Sequence, residues 1–129
     1  MMAKTQKIPI LIIKEEYFNE ILAGTKKEEY RSLSEHYFKM FSTKNEQGEY
    51  AHLKEIKEII LAVGYSTNRK TMRIQLKDIY IVEFWNDIPE GFQKGDECFV
   101  LELGEVLETN FNTSEHGRNS RTTKTKRKA

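Results

Sequence analysis

Apolar and polar residues change period several times along the chain, and each change predicts an element. The run Ile8–Ile13 is apolar and rich in β-branched residues, which predicts a buried strand. From Lys14 to Ala23 the apolar residues recur at spacings of one, three and four, so they form one face of a helix that ends at Gly24. The polar segment Lys26–Arg31 follows, and its position before the next helix favours an extended strand.

A second, shorter helix is predicted to begin at Ser32, because Ser32 and Glu35 have the spacing of a capping box. The apolar face of this helix would consist of Tyr37, Phe38, Met40 and Phe41. The stretch Thr43–Tyr50 is polar and contains Gly48, which predicts a loop.

Three apolar segments predict strands in the second half of the chain. Ile56–Tyr65 contains a run long enough for a buried strand, although a helix also fits there. Residues 72–77 alternate between apolar and polar, which is typical of a half-buried strand. The phase then shifts at Asp78, so either a bulge or a tight turn between two strands follows. A last strand continues past Gly104, with its inward side formed by Phe99, Leu101 and Leu103.

The pattern as a whole predicts a mainly β, α+β fold of five to six strands, with two short helices near the N-terminus. A small closed or nearly closed β-barrel leaves few strand edges unpaired, so it is the favoured architecture. Trp85 stands at a strand end before a turn, where we expect it to plug the barrel rather than to serve as a stacking platform.

Length and composition narrow the class of protein. A chain of 129 residues with 38% hydrophobic residues fits one domain with a modest core. No apolar run approaches the roughly 18 residues of a membrane span, and Ile8–Ile13 is too short for a secretory signal. A lone cysteine, Cys98, excludes an internal disulfide and favours a reducing, cytoplasmic location.

The net charge of +1 conceals an asymmetry between two parts of the chain. Residues 114–129 contain six basic residues and one acidic residue, whereas residues 1–113 contain 15 basic and 19 acidic residues and carry −4. We therefore expect a domain over 8–112, a disordered segment over 1–7 and a disordered basic tail over 113–129. The tail either makes nonspecific contacts with phosphates or is a hydrated, charged segment that binds no partner.

The segment after the first helix carries the most informative motif. Gly24, Lys26, Glu29 and Arg31 match all four positions of Gly-x-Lys-x-x-Glu-x-Arg, the motif that ends the first helix of ASCH domains. With the strand and helix before it, and with Gly64-Tyr65-Ser66 and Phe99–Gly104 after it, the chain resembles small bacterial and phage-type ASCH proteins over roughly residues 8–108. The resemblance implies a PUA-like β-barrel with a cleft that binds RNA or nucleotides, and hydrolytic activity in some members.

The residue types of the motif suit a ligand site by themselves. Arg31 presents a planar set of donors for a phosphate or a base edge, and Glu29 accepts from an exocyclic amine or holds Arg31 in place. Glu29 and Arg31 share one face of a straight strand with Lys27, so Lys26 joins them only from the turn before the strand. Alternatively, Glu29 and Arg31 form a structural ion pair at the mouth of the barrel.

Two more residues are candidates for the same cleft. Tyr65 and Ser66 precede a basic turn, and an aromatic side chain beside basic residues suits base stacking with phosphate contacts. The alternative interpretation is a core tyrosine followed by an ordinary polar turn.

Lys26 is the catalytic candidate if the protein is an enzyme, because a lysine with a depressed pKa serves as nucleophile or base. ASCH members that hydrolyse N-acylated cytidine carry a threonine three residues after the motif lysine, where this chain has Glu29.

No cofactor or metal is predicted. His36, His52, His116 and Cys98 share no metal-ligand spacing, and no phosphate-loop pattern is present. The sequence thus predicts an ASCH-type module that binds RNA or a nucleotide-like ligand through Lys26, Glu29, Arg31, Tyr65 and Ser66. The alternatives are an amidohydrolase acting on N-acylated nucleosides, a ribonuclease, or a protein-interaction module. The acidic core argues against a broad contact with duplex nucleic acid.

Overall fold

The computed structural model describes residues 7–112. The segments predicted to be disordered, 1–7 and 113–129, lie outside the described residues except for Lys7. The elements in chain order are β1 (Ile10–Ile13), α1 (Glu15–Ala23), β2 (Glu28–Ser32), α2 (Glu35–Phe41), β3 (Ser42–Lys44), β4 (Tyr50–Leu53), β5 (Glu58–Val63), β6 (Thr71–Glu83) and β7 (Glu97–Thr109).

Five strands form one curled sheet in the order β1-β5-β6-β7-β2, which makes a half-barrel. β1 runs parallel to β5, and the other neighbours are antiparallel. β3 and β4 form a separate hairpin. The predicted mainly β, barrel-like fold with two helices near the N-terminus is confirmed, and β1 and β2 are the edge strands of the sheet.

The main core fills the concave side of the sheet. α1 buries Phe18 and Ile21 there, and α2 buries Phe41 against Phe99 of β7 with ring centroids 5.2 Å apart. The residues predicted to face inward on the last strand are buried: Phe99, Leu101 and Leu103. The two helices therefore cover the hollow side of the half-barrel, as apolar burial requires.

A second apolar cluster lies on the other face of the sheet. Cys98 and Val100 point to this face, where Phe84 and the partly buried Phe92 from the β6–β7 loop cover them. Both faces of β7 are buried at this end, which explains why Cys98 to Leu101 form an uninterrupted buried run.

The phase shift at Asp78 is a bulge and not a turn. β6 is a single strand of 13 residues, and its pairing with β7 shifts register between Leu76 and Asp78. Two residues of β6 there oppose one residue of β7, which makes Lys77 the extra residue.

Two predicted boundaries are wrong. The second helix has Ser34 as its N-cap, whose hydroxyl accepts from the Tyr37 N–H at 3.3 Å, whereas Ser32 ends β2. The capping-box spacing predicts the wrong N-cap because Ser32 still pairs with Cys98 of β7 and so belongs to the strand. The stretch 43–50, predicted as a loop, contains most of β3 and the first residue of β4, because the turn around Gly48 closes a hairpin.

Trp85 does not plug the barrel. Its side chain is exposed, its indole N–H donates to Glu83 at 3.0 Å, and Lys94 lies over its ring. The preceding residue, Phe84, takes the buried position, since neighbouring residues at a strand end point to opposite faces. No helix within residues 7–112 has the length and apolar character to cross a membrane.

Candidate ligand site

The turn between α1 and β2 positions the motif lysine. Gly24 ends α1 with a φ of 85°, a left-handed conformation that glycine adopts without steric cost. The backbone N–H groups of Thr25 and Lys26 then donate to the Glu20 carbonyl oxygen at 3.0 and 3.2 Å. Because β2 begins at Glu28, Lys26 lies in the turn before the strand, which is the position that its contact with the motif carboxylate requires.

β2 directs the other two motif side chains to the concave side of the sheet. Glu29 pairs with Leu101 and Arg31 with Phe99, and residues paired across strands share a face. Both partners belong to the main core. The carboxylate and the guanidinium therefore lie at the rim of the hollow rather than on the outer surface.

The three charged groups converge as predicted. The Arg31 guanidinium donates to one Glu29 oxygen from Nε at 3.0 Å and from Nη2 at 2.6 Å. The Lys26 Nζ lies 3.5 Å from the other Glu29 oxygen. The Glu29 side chain is only 9% exposed and that of Arg31 10%, so the pair compensates two desolvated charges. The cluster has a net charge of +1.

Three tyrosines surround this cluster, which we call the KER cluster (Lys26, Glu29 and Arg31). The Lys26 ammonium lies 5.3 Å from the ring centroid of Tyr17 and 5.1 Å from that of Tyr30. The third tyrosine, Tyr37, accepts a hydrogen bond from Arg31 Nη1 at 2.9 Å. The cations are thus held by aromatic faces and one phenol as well as by Glu29.

Carboxylates fix two of these phenols. The Tyr17 hydroxyl donates to Glu90 at 2.6 Å, and this hydrogen bond is the main cause that raises the pKa of Tyr17 to about 12. Burial, followed by the hydrogen bond to Glu28, raises the pKa of Tyr30 as well. Both rings therefore remain uncharged at neutral pH.

A cleft of about 370 Å³ opens where the two edge strands of the half-barrel approach each other. Its lining comes from the end of β1, from α1, from β2 and α2, and from the β6–β7 loop: Ile12, Ile13, Lys14, Tyr17, Glu29, Tyr30, Arg31, Ser32, Tyr37, Gly91 and Phe92. This volume falls within the range of roughly 300–1,000 Å³ that is usual for small-molecule sites. We call it the tyrosine cleft.

The other two predicted site residues do not join the KER cluster. Tyr65 and Ser66 lie in the turn after β5, and neither lines the tyrosine cleft. Tyr65 is 83% exposed, so the core-tyrosine alternative is wrong. The Ser66 hydroxyl accepts from the Asn68 N–H at 3.1 Å, as in an ordinary polar turn. Their role in ligand binding remains a prediction.

The surroundings of Lys26 bear on its chemistry. Its Nζ contacts one Glu29 oxygen and lies over the rings of Tyr17 and Tyr30. A lysine held in this way can donate further hydrogen bonds to an anionic ligand.

Sequence reasoning missed the aromatic walls of the cleft. Tyr17 and Tyr37 fall at apolar positions of the two helices, which predict packing against the core, and Phe92 lies in the loop between β6 and β7. Tyr30 carried the clearest signal, because it stands between two motif residues.

Within residues 7–112, no three His, Cys, Asp or Glu side chains converge as metal ligands. Comparison with family models, curated proteins and solved structures finds no match to this chain.

Proposed function

We propose that this chain is an ASCH-type binding module that takes a nucleotide, free or at the end of a single RNA strand, in the tyrosine cleft. The observation that carries the proposal is that Glu29 and Arg31 line this cleft beside tyrosine rings, while Lys26 contacts Glu29 from the adjoining turn. A base has an apolar face, which can stack on a tyrosine ring, and a polar edge, which can form hydrogen bonds with Glu29 and Arg31.

The KER cluster has donors to spare for a ligand. A guanidinium carries five N–H donors, and Arg31 uses three of them on Glu29 and Tyr37 among the described residues. Lys26 has three donors and contacts one carboxylate oxygen. The remaining donors suit a carbonyl on a base or a phosphate oxygen.

The size and charge of the domain favour a small ligand over a duplex. Residues 1–113 carry −4, which argues against a broad electrostatic contact with a duplex. A cleft of about 370 Å³ holds one nucleotide unit better than a helical surface.

Calorimetric titration with the four ribonucleoside 5′-monophosphates tests the proposal. We expect at least one of them to bind, and Arg31→Lys and Lys26→Met each to weaken that affinity by roughly tenfold or more, since each removes a charge-assisted contact. Lys39→Met, an exposed lysine on α2 outside the cleft, is the matched control and should bind like the wild type. Absence of binding by all four nucleotides, or equal affinity in all variants, would overturn the proposal.

A further inference from the structure

A smaller cavity next to the KER cluster carries three lysines. Its volume is about 210 Å³, and its lining consists of Ile21, Gly24, Lys26, Lys27, Ile74, Lys77, Leu103 and Gly104. No acidic side chain belongs to this lining. We call it the lysine pocket.

The fold brings these lysines together from distant parts of the chain. Lys26 and Lys27 lie in the turn between α1 and β2. Lys77 is the extra residue of the bulge in β6, and bulges redirect side chains at sheet rims and next to functional sites. The apolar wall behind the lysines comes from Ile21 of α1 and from the two long strands.

Two of the three lysines of the lysine pocket have no carboxylate partner among the described residues, whereas Lys26 is paired with Glu29. Among residues 7–112, neither Lys27 nor Lys77 forms an ion pair. The adjacent acids have other partners, since Asp78 accepts from the Ile79 N–H and Glu28 from the Tyr30 hydroxyl. The excess positive charge of Lys27 and Lys77 favours an anion in this cavity.

The lysine pocket and the tyrosine cleft both adjoin a third cavity. This cavity of about 540 Å³ shares Lys26 and Lys27 with the lysine pocket and Tyr30 with the tyrosine cleft. Its lining also contains Glu20 and Glu28, so the anion site lies on the Lys77 side of the two lysines. The base site and the phosphate site therefore lie on neighbouring parts of the same surface.

We infer that the lysine pocket holds a phosphate monoester of the ligand whose base lies in the tyrosine cleft. The inference rests on the proposed function and adds to it the place where the phosphate of the nucleotide binds. A volume of about 210 Å³ is below the roughly 300 Å³ at which small-molecule sites begin, so the pocket suits a phosphate group rather than a second base. The same chemistry is found on a free nucleoside monophosphate and on the phosphorylated end of an RNA strand.

The test compares nucleosides with their 5′-monophosphates in the full chain and in Lys27→Ala/Lys77→Ala. Both lysines are exposed, so we expect the phosphate to tighten binding roughly tenfold in the wild type, and the double variant to lose this preference while it binds nucleosides unchanged. The control is Lys39→Ala/Lys57→Ala, which removes the same charge from exposed positions outside the pocket and should keep the preference. Trinucleotides with and without a 5′-phosphate show whether a strand end is accepted as well as a free nucleotide.

Titration with inorganic phosphate, followed by ³¹P NMR, separates failure of this inference from failure of the proposed function. Nucleoside binding without a lysine-dependent phosphate preference overturns the lysine pocket and leaves the tyrosine cleft in place. Phosphate binding that depends on Lys27 and Lys77, with nucleotides bound no more tightly than inorganic phosphate, contradicts the proposed function, because the base then adds nothing, and leaves the lysine pocket as an anion site alone. If neither phosphate nor any nucleotide binds, both are overturned.

Discussion

The guanidinium of Arg31 donates two hydrogen bonds to a single carboxylate oxygen of Glu29, and the pair lies almost fully buried at the rim of the half-barrel. Removal of one partner leaves the other charge buried without a counter-charge. Glu29→Ala is therefore expected to lower the free energy of unfolding by about 3 kcal/mol, because it leaves two cations beside an empty position.

Urea unfolding measures this effect, and the double variant Glu29→Leu/Arg31→Met is its control. We expect the double variant to recover much of the lost stability, because apolar residues of similar volume replace a buried ion pair with little cost. A Glu29→Ala protein within about 0.5 kcal/mol of the wild type would show that this pair is not desolvated.

The N-cap of α2 gives a matched pair of serines. Ser34→Ala should cost about 1 kcal/mol of stability, since it removes the acceptor for the Tyr37 N–H. Ser32→Ala, two residues earlier at the end of β2, should change stability by less than about 0.5 kcal/mol. Thermal unfolding of both variants shows which serine caps the helix. A larger loss of stability in Ser32→Ala than in Ser34→Ala would support a helix that begins at Ser32, as the sequence predicts.

The thiol of Cys98 should be nearly inert in the folded protein. Burial raises its pKa from an ordinary value of 9.0 to about 11, so at pH 8 the thiolate fraction is about a hundredfold lower than in the unfolded chain. Because the folded pKa is the higher one, the protonated thiol contributes stability below pH 9 that is lost as the pH rises towards 11.

Reaction with an aromatic disulfide reagent at pH 8, in buffer and in concentrated urea, measures this protection. The folded protein should react at least about a hundredfold more slowly than the unfolded chain. Equal rates in the two solvents would contradict the buried position of Cys98 on β7.

Removal of residues 114–129 tests where nucleotides bind. The truncated chain loses six basic residues and one acidic residue, so its net charge falls from +1 to −4. We expect its affinity for a mononucleotide to stay within about threefold of the full chain, because the tyrosine cleft is intact and contacts from a charged tail are screened at physiological salt. Loss of all binding on truncation would assign the affinity to the tail instead of the cleft.

The hydrolase alternatives predict turnover, and the binding account predicts none. Lys26 is engaged by Glu29 and two tyrosine rings, and we expect no product from N-acylated nucleosides or from short RNAs after prolonged incubation. Product formation that disappears in Lys26→Met would make the protein an enzyme and Lys26 a catalytic residue.

Local patterns in the sequence predict the elements that depend on local spacing. The first strand, the first helix up to Gly24, and the inward positions of the last strand follow from hydrophobic period, and the structure confirms them, with the first strand shortened from Ile8–Ile13 to Ile10–Ile13. The convergence of the KER cluster was also predictable, because Glu29 and Arg31 are two residues apart and Lys26 precedes the strand.

Features set by contacts between distant segments were not predictable. Ser32 fits a helix cap locally, yet its pairing with Cys98 keeps it in a strand. Trp85 is large and apolar, but Phe84 takes the buried position, and the bulge fixes the phase of the strand before them. The aromatic walls and the lysine pocket require the three-dimensional fold, because Tyr17, Tyr37 and Lys77 lie on three different elements.

Chemical-shift mapping with a ¹⁵N-labelled protein tests the central claim most directly. On titration with the nucleoside monophosphate that binds best, the largest amide shifts should cluster at Lys26–Ser32, at Tyr17 and at Gly91–Phe92, the segments that form the KER cluster and the walls of the tyrosine cleft. Shifts confined to residues 113–129, or centred on a surface that excludes Lys26, Glu29 and Arg31, would contradict it.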